Sequence, residues 1–171
     1  MEWTRSELIN MPDRNVEFDE DIEISSEAFA SNTRINGVKD LHVSGRGYLD
    51  DSDDRFYVTL EISGIMLVPD AVNGEEIEYP FETGSEEEYV FDENTEDEDV
   101  RIVTDEVIRL LPAVIEDILL EVPLQVTECD PEDYPSGDGW QILTEEAYQK
   151  SREEEIDPRL AILKNYKQDK Q

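Results

Sequence analysis

The chain has 171 residues, of which 46 are Asp or Glu and 14 are Lys or Arg, giving a formal charge of −32 at pH 7. Such a polyanion repels a phosphate backbone, because nucleic-acid affinity comes mainly from Lys and Arg displacing counterions, and its field disfavours an anionic membrane surface. Tight direct binding to naked DNA or RNA and membrane association are therefore not expected, whereas a basic protein partner is favoured.

With only five Lys in the chain, adaptation to a salty habitat is the competing account of the acidity. Apolar residues at 37% suffice for one real core, and the length suits a single domain over residues 1–171. One cysteine, Cys129, leaves no internal disulfide and no cysteine-based zinc site. No apolar run follows Met1-Glu2-Trp3-Thr4-Arg5, and no stretch approaches the ~20 apolar residues of a membrane span. A soluble cytoplasmic protein without a signal peptide is expected.

In chain order, residues 1–14 read as an N-terminal arm anchored by Trp3, Leu8 and Ile9 and ended at Pro12-Asp13. Val16, Phe18, Ile22 and Ile24 alternate with acids and predict a strand with one solvated face. Ser25-Ser26-Glu27 can cap a short helical turn through Phe29. Leu41, Val43, Gly45, Gly47 and Leu49 predict a second strand, whose two glycines on one face signal a bulge or close packing by a bulky group. After the turn at Asp50–Asp54, Phe56, Val58, Leu60 and Ile62 give the clearest strand in the chain and complete a hairpin. Gly64 then breaks the alternation before a more buried run, Ile65 to Val68, stopped by Pro69.

Residues 70–100 hold fourteen acids and no Lys or Arg. Strands are predicted at residues 76–82 and 89–91; the runs Glu86-Glu87-Glu88 and Glu96-Asp97-Glu98-Asp99 form a candidate acidic surface, the second in a loop at 92–100. Thr104 opens the best predicted helix, in which Val107, Ile108, Leu111, Val114, Ile115, Ile118 and Leu119 follow a 3.6-residue period, Pro112 introduces a kink and Pro123 ends the helix. A loop follows at 124–143, and Thr144 is placed to cap a second, polar helix. At 157–171 a C-terminal helix and tail are predicted: Asp157 at the N-cap, Pro158 in the first turn, and Leu160, Leu163 and Tyr166 on one side. The fold class is α+β: a mostly antiparallel, curved sheet of about five to seven strands packed on one long helix, with short C-terminal helices and a half-open barrel as the alternative closure.

The search for catalytic chemistry returns little. His42, the one histidine, sits mid-strand among polar neighbours, and no nucleophile elbow, phosphate-binding loop or dinucleotide fingerprint occurs. A calcium loop from Asp92 fails at its sixth position, Asp97, and at its twelfth, Val103. Glu128 and Asp130 disfavour a Cys129 thiolate. No catalytic, cofactor-binding or metal-ligating residue is assigned.

Several segments together resemble the YceD-like family of large ribosomal RNA subunit accumulation proteins, once a domain of unknown function, in its Gram-positive form. Asp157-Pro158-Arg159-Leu160-Ala161-Ile162-Leu163 is similar to the family's closing D-P-R-x-x-x-L segment, and Ile118 to Leu124 to the end of its helix. Val58 to Gly64, Pro69, and Ile77 to Phe81 resemble its strand, proline-containing turn and next strand, and Glu2-Trp3-Thr4 to Leu8 its opening. Many members carry cysteines around that turn; here Ile65, Met66, Leu67 and Val68 stand there and only Cys129 remains later, so any metal site of cysteine-rich members is lost.

The resemblance implies a non-catalytic factor in large-subunit ribosome assembly, needed for 23S ribosomal RNA to accumulate. Its acidity suggests that it holds a basic large-subunit ribosomal protein or the pre-ribosomal particle, shielding Lys and Arg until RNA displaces the acidic surface. The C-terminal segment Asp157, Pro158, Arg159, Leu160 and Leu163 is a second candidate contact, set against a helix docked on its own sheet. An acidic interaction module unrelated to ribosomes, or a metal-dependent hydrolase, are the other classes. The oligomeric state is not legible.

Overall fold

A computed structural model of the chain describes residues 1–91, 95, 97 and 100–154. Two compact units emerge: Met1–Asp70 with Glu75–Val126, and Ala71–Gly74 with Thr127–Gln171, of which residues 127–154 are described. The first contains, in order, β1 (Glu2–Thr4), α1 (Arg5–Asn10), β2 (Asn15–Ile22), β3 (Gly37–Asp50), β4 (Arg55–Pro69), β5 (Glu76–Val90), β6 (Arg101–Ile102), β7 (Val107–Arg109) and α2 (Leu111–Glu121). One open sheet runs β2-β3-β4-β5-β6, antiparallel except for the short parallel pair β5-β6, while β1 and β7 form a separate antiparallel ribbon. The α+β class and the mostly antiparallel sheet are as the sequence predicts.

The alternation in β2 to β4 works as expected. Val16, Phe18, Val43, Phe56, Val58, Leu60 and Ile62 are buried on the inner face. They join one core with Leu8 of α1, Phe29 of a 3-10 turn, and Ala113, Val114 and Ile118 of α2. The glycines of β3 serve close packing: a Cβ at Gly45 would lie 2.7 Å from Phe18 Cζ, and one at Gly47 2.4 Å from Phe56 Cζ. The bulge lies elsewhere, between Lys39 and His42, where Asp40 takes a left-handed φ of 50°. Such an insertion bends the strand and increases its twist.

Five expectations need correction. The long helix is not present. Val107 and Ile108 belong to β7, opposite Thr4 and Trp3, and the helix begins at Leu111 and spans 11 residues. Pro112 lies in its first turn and starts it without kinking it, because the missing N–H would have no intrahelical partner there. Ile9 is 41% exposed and does not anchor the arm; Leu8, fully buried, and Trp3, packed with its ring centroid 5.5 Å from that of Phe18, do so. Gly64 does not interrupt β4, since Ile62, Gly64, Met66 and Val68 continue along one face. Residues 76–90 form one strand, and Glu86-Glu87-Glu88 are part of it.

Local chemistry fixes the ends. Thr4 and Glu7 form a capping box on α1: the Glu7 N–H donates to Thr4 Oγ1 at 3.2 Å and the Thr4 N–H to Glu7 Oε2 at 2.8 Å. That second bond pulls the Glu7 carboxyl below its usual range. In the β3–β4 turn the Ser52 N–H and hydroxyl both donate to Asp50 Oδ1, at 2.9 and 2.7 Å.

Within the second unit a 3-10 turn (Pro131–Asp133), a small ribbon of β8 (Ser136–Gly137) with β9 (Trp140–Gln141), and α3 (Glu145–Glu154) follow one another. Thr144 caps α3, its Oγ1 accepting from the Ala147 N–H at 3.1 Å. The segment Asp157, Pro158, Arg159, Leu160 and Leu163 lies outside the described residues, as do Glu96, Glu98 and Asp99. Among the described residues no helix is long and apolar enough to cross a membrane.

Candidate functional site

Strand pairing carries the polar alternates of β2 to β5 to the outer face. Residues opposite one another on paired strands share a face. The register therefore sets Asn15, Glu17, Asp19 and Asp21 of β2 beside Tyr48, Arg46, Ser44 and His42 of β3. Tyr57, Thr59, Glu61 and Ser63 of β4 come next, and then Glu88, Glu86, Gly84 and Glu82 of β5. The apolar side chains of these strands went to the inner core, and seven of these sixteen outer-face residues are carboxylates. A shallow hollow of about 750 Å³ opens on it, with Asn15, Glu17, Arg46, Tyr48, Tyr57, Thr59, Glu86 and Glu88 in its lining.

The first acidic run singled out in the sequence does not act as a block. Alternation splits Glu86-Glu87-Glu88 between faces. Glu86 is exposed on the outer face, whereas Glu87 points inward, where Arg101 Nε donates to its Oε2 at 2.5 Å. The same guanidinium reaches Glu116 Oε2 on α2 at 2.6 Å. Burial pulls the Arg101 pKa down, but its bonds to Glu116 and Glu87 outweigh this and hold it above its ordinary value. Glu88 is taken by Arg55, which also reaches Asp97 at 3.3 Å, so the Arg55 pKa is raised first by Glu88 and then by Asp97. Of the second run only Asp97 is described, and it is exposed.

Residues that single-strand reading missed complete the face. Glu17, Glu61, Glu82 and Glu86 form no ion pair among the described residues. Asp19 and Asp21 flank His42, whose Nδ1 lies 2.9 Å from Asp21 Oδ1 and whose Nε2 lies 3.5 Å from Asp19 Oδ1. The bond to Asp21 raises the His42 pKa, and burial opposes it weakly. Tyr48 and Tyr57 stack across β3–β4 with ring centroids 5.1 Å apart and planes 20° from parallel. The hairpin held the signal for them: once Asp50 pairs with Arg55, counting back two positions sets Tyr48 opposite Tyr57.

Positive charge is largely neutralised elsewhere in this unit. Arg5 pairs with Asp54, Arg14 with Asp51, Lys39 with Glu78, and Arg109 with Asp105 and Glu2. Arg46 is the exception on the outer face and has no ion pair among the described residues. Asp117 of α2 is buried, raised in pKa by desolvation, and accepts from the Ser85 hydroxyl at 2.6 Å. That bond is a structural tie between α2 and β5. Among the described residues no group of His, Cys, Asp or Glu has a geometry that would hold a metal ion.

The model of the family described as "Large ribosomal RNA subunit accumulation protein YceD" matches residues 58–167. A Bacillus subtilis (strain 168) protein, "Uncharacterized protein YlbN", is 36% identical over 177 residues, covering 99% of this chain and 98% of that one. No solved structure matches the chain. The family match takes in β4 from Val58 onward, β5 and α2, and the Bacillus relative extends the likeness to the arm, to β2 and β3 and to the start of β4, so the whole outer face lies within the two together. This chain belongs to the YceD family, named for the accumulation of large-subunit ribosomal RNA.

Proposed function

We propose that this protein is a non-catalytic, cytoplasmic ribosome biogenesis factor that supports 23S ribosomal RNA accumulation by binding a basic ribosomal protein of the large subunit, free or within the pre-ribosomal particle. The observation that carries this reading is the outer sheet face, where Glu17, Glu61, Glu82 and Glu86 form no ion pair among the described residues while Phe18, Val58 and Leu60 of the same strands are buried in the core. A ribosomal protein awaiting its RNA is a cation-rich surface without its counter-charge. An acidic sheet supplies that counter-charge reversibly, and the growing phosphate field of the RNA displaces it. The family's name supports the ribosomal setting, and the chain's −32 charge supports a protein contact over an RNA contact.

The test is affinity capture from cells of a relative's host with the wild type and with a variant carrying Glu17→Gln, Glu61→Gln, Glu82→Gln and Glu86→Gln. Captured proteins and RNA are identified with and without ribonuclease. The expected result is a basic large-subunit protein that survives ribonuclease with the wild type and is lost with the variant. Capture of large-subunit RNA after basic proteins are stripped away, unaffected by the four substitutions, refutes the reading.

A further inference from the structure

The Tyr48–Tyr57 stack is a feature of the outer face that acidity does not explain. Both rings stand on the outer face of the sheet, and Tyr48 is 47% exposed. The Tyr57 hydroxyl donates to Asp53 Oδ2 at 3.2 Å, which fixes that ring at the hairpin end. The near-parallel pair lines the same hollow as the carboxylates of Glu17 and Glu86. An aromatic ring face bordered by carboxylates that form no ion pair among the described residues is suited to a planar cation, because a guanidinium stacks on the ring while its edge N–H groups reach carboxylate oxygens. An ammonium is compact and strongly hydrated, and gains less from such a surface.

We propose that Tyr48 and Tyr57 form an arginine platform, selecting an arginine side chain of the basic partner and distinguishing it from lysine. This rests on the reading of the outer face as a surface for a basic protein, and adds which cation it prefers. Charge complementarity selects the occupant. A nucleotide base stacked on the same rings would bring its phosphates against Glu17, Glu86 and Glu61, with Arg46 alone to offset them. Arg46 sits two residues from Tyr48 on the same face and opposes an incoming cation, so its removal strengthens arginine binding.

The test titrates the full chain, at low ionic strength, with a short alternating arginine–serine peptide and its lysine–serine counterpart of equal length and charge. The wild type is expected to bind the arginine peptide about three- to thirty-fold tighter, the span of a cation–π contact from exposed to desolvated. Tyr48→Leu together with Tyr57→Leu brings the arginine peptide to the lysine level and leaves lysine binding unchanged. Tyr48→Phe, which keeps the ring and the fold, retains the preference, and Arg46→Ala tightens both peptides. Equal binding of the two peptides to the wild type, or a preference that persists in the double Leu variant, overturns the platform and leaves the acidic-face reading standing. Failure of both peptides to bind overturns the two together. Tighter binding of an oligouridylate than of the arginine peptide, lost in the double Leu variant, assigns the rings to a base and overturns the proposal.

Discussion

Adding one methyl group to Gly45 tests the packing beneath the proposed binding face. The Cβ of Gly45→Ala would lie 2.2 Å from the Thr59 carbonyl oxygen and 2.7 Å from Phe18 Cζ. Thr59 belongs to β4, held between β3 and β5, so its carbonyl cannot retreat without displacing two ladders. Phe18 is 8% exposed and can yield only by leaving the core. Overpacking of this kind costs about 1–3 kcal/mol, or about 2–12 °C in melting temperature for a chain of this size. Gly37→Ala is the control: its nearest contact, Ser26 Cβ, would be at an ordinary 3.7 Å, so its melting temperature stays within about 1–2 °C of wild type. The assay is thermal unfolding followed by tryptophan emission in a Trp140→Phe background, so that Trp3, packed at a tilt against Phe18, reports on the first unit. An unchanged midpoint for Gly45→Ala, or equal damage from both substitutions, would refute the close approach of β3 to Phe18.

Three further outcomes follow from the geometry. His42 titrates above its ordinary 6.5 because Asp21 and Asp19 favour the imidazolium; Asp21→Asn lowers that pKa, read by NMR, and a wild-type value at or below 6.5 contradicts the pairing. The folded-state pKa is raised, so the stabilisation is fully present below pH 6.5 and disappears as pH rises through the folded value; His42→Gln therefore loses stability in mildly acidic buffer and none in alkaline buffer. Pro112→Ala costs under about 1 kcal/mol, through the added freedom of the unfolded chain, whereas a proline inside the helix would make the substitution a gain of about 3 kcal/mol in denaturant titrations. Arg101→Met leaves Glu87 and Glu116 without their cation and lowers stability by about 1–3 kcal/mol in the same titrations, discounted from a fully buried pair because the guanidinium is 29% exposed; no loss contradicts the β5–α2 tie.

Much of the fold can be read from local pattern. The inner face follows from period-two alternation in Val16 to Phe18 and Phe56 to Ile62, and the turn of Ser26–Phe29 from Ser25, whose hydroxyl accepts the Glu27 N–H at 3.3 Å. Long-range partners defeated the rest. Val107 and Ile108 fit a helical period as well as a strand, and only pairing with Trp3 and Thr4, about a hundred residues away, decides between them. Glu86-Glu87-Glu88 is a charge run in sequence, but pleating sends Glu87 inward, where Arg101 compensates it. The candidate site was half legible: polar alternates were visible strand by strand, yet their convergence with Tyr48 and Tyr57 on one face is a property of the assembled sheet.

Whether the outer face holds a cationic protein is decided by binding of the full chain to purified large-subunit ribosomal proteins and, separately, to protein-free large-subunit ribosomal RNA, at ~0.15 M and ~1 M salt. Binding to a basic ribosomal protein is expected at the lower salt, where charges act over about 8 Å, with its collapse at the higher, where they act over about 3 Å, and no comparable affinity for the RNA. Protein binding that is indifferent to salt, or RNA bound more tightly than every ribosomal protein, would contradict that role of the face.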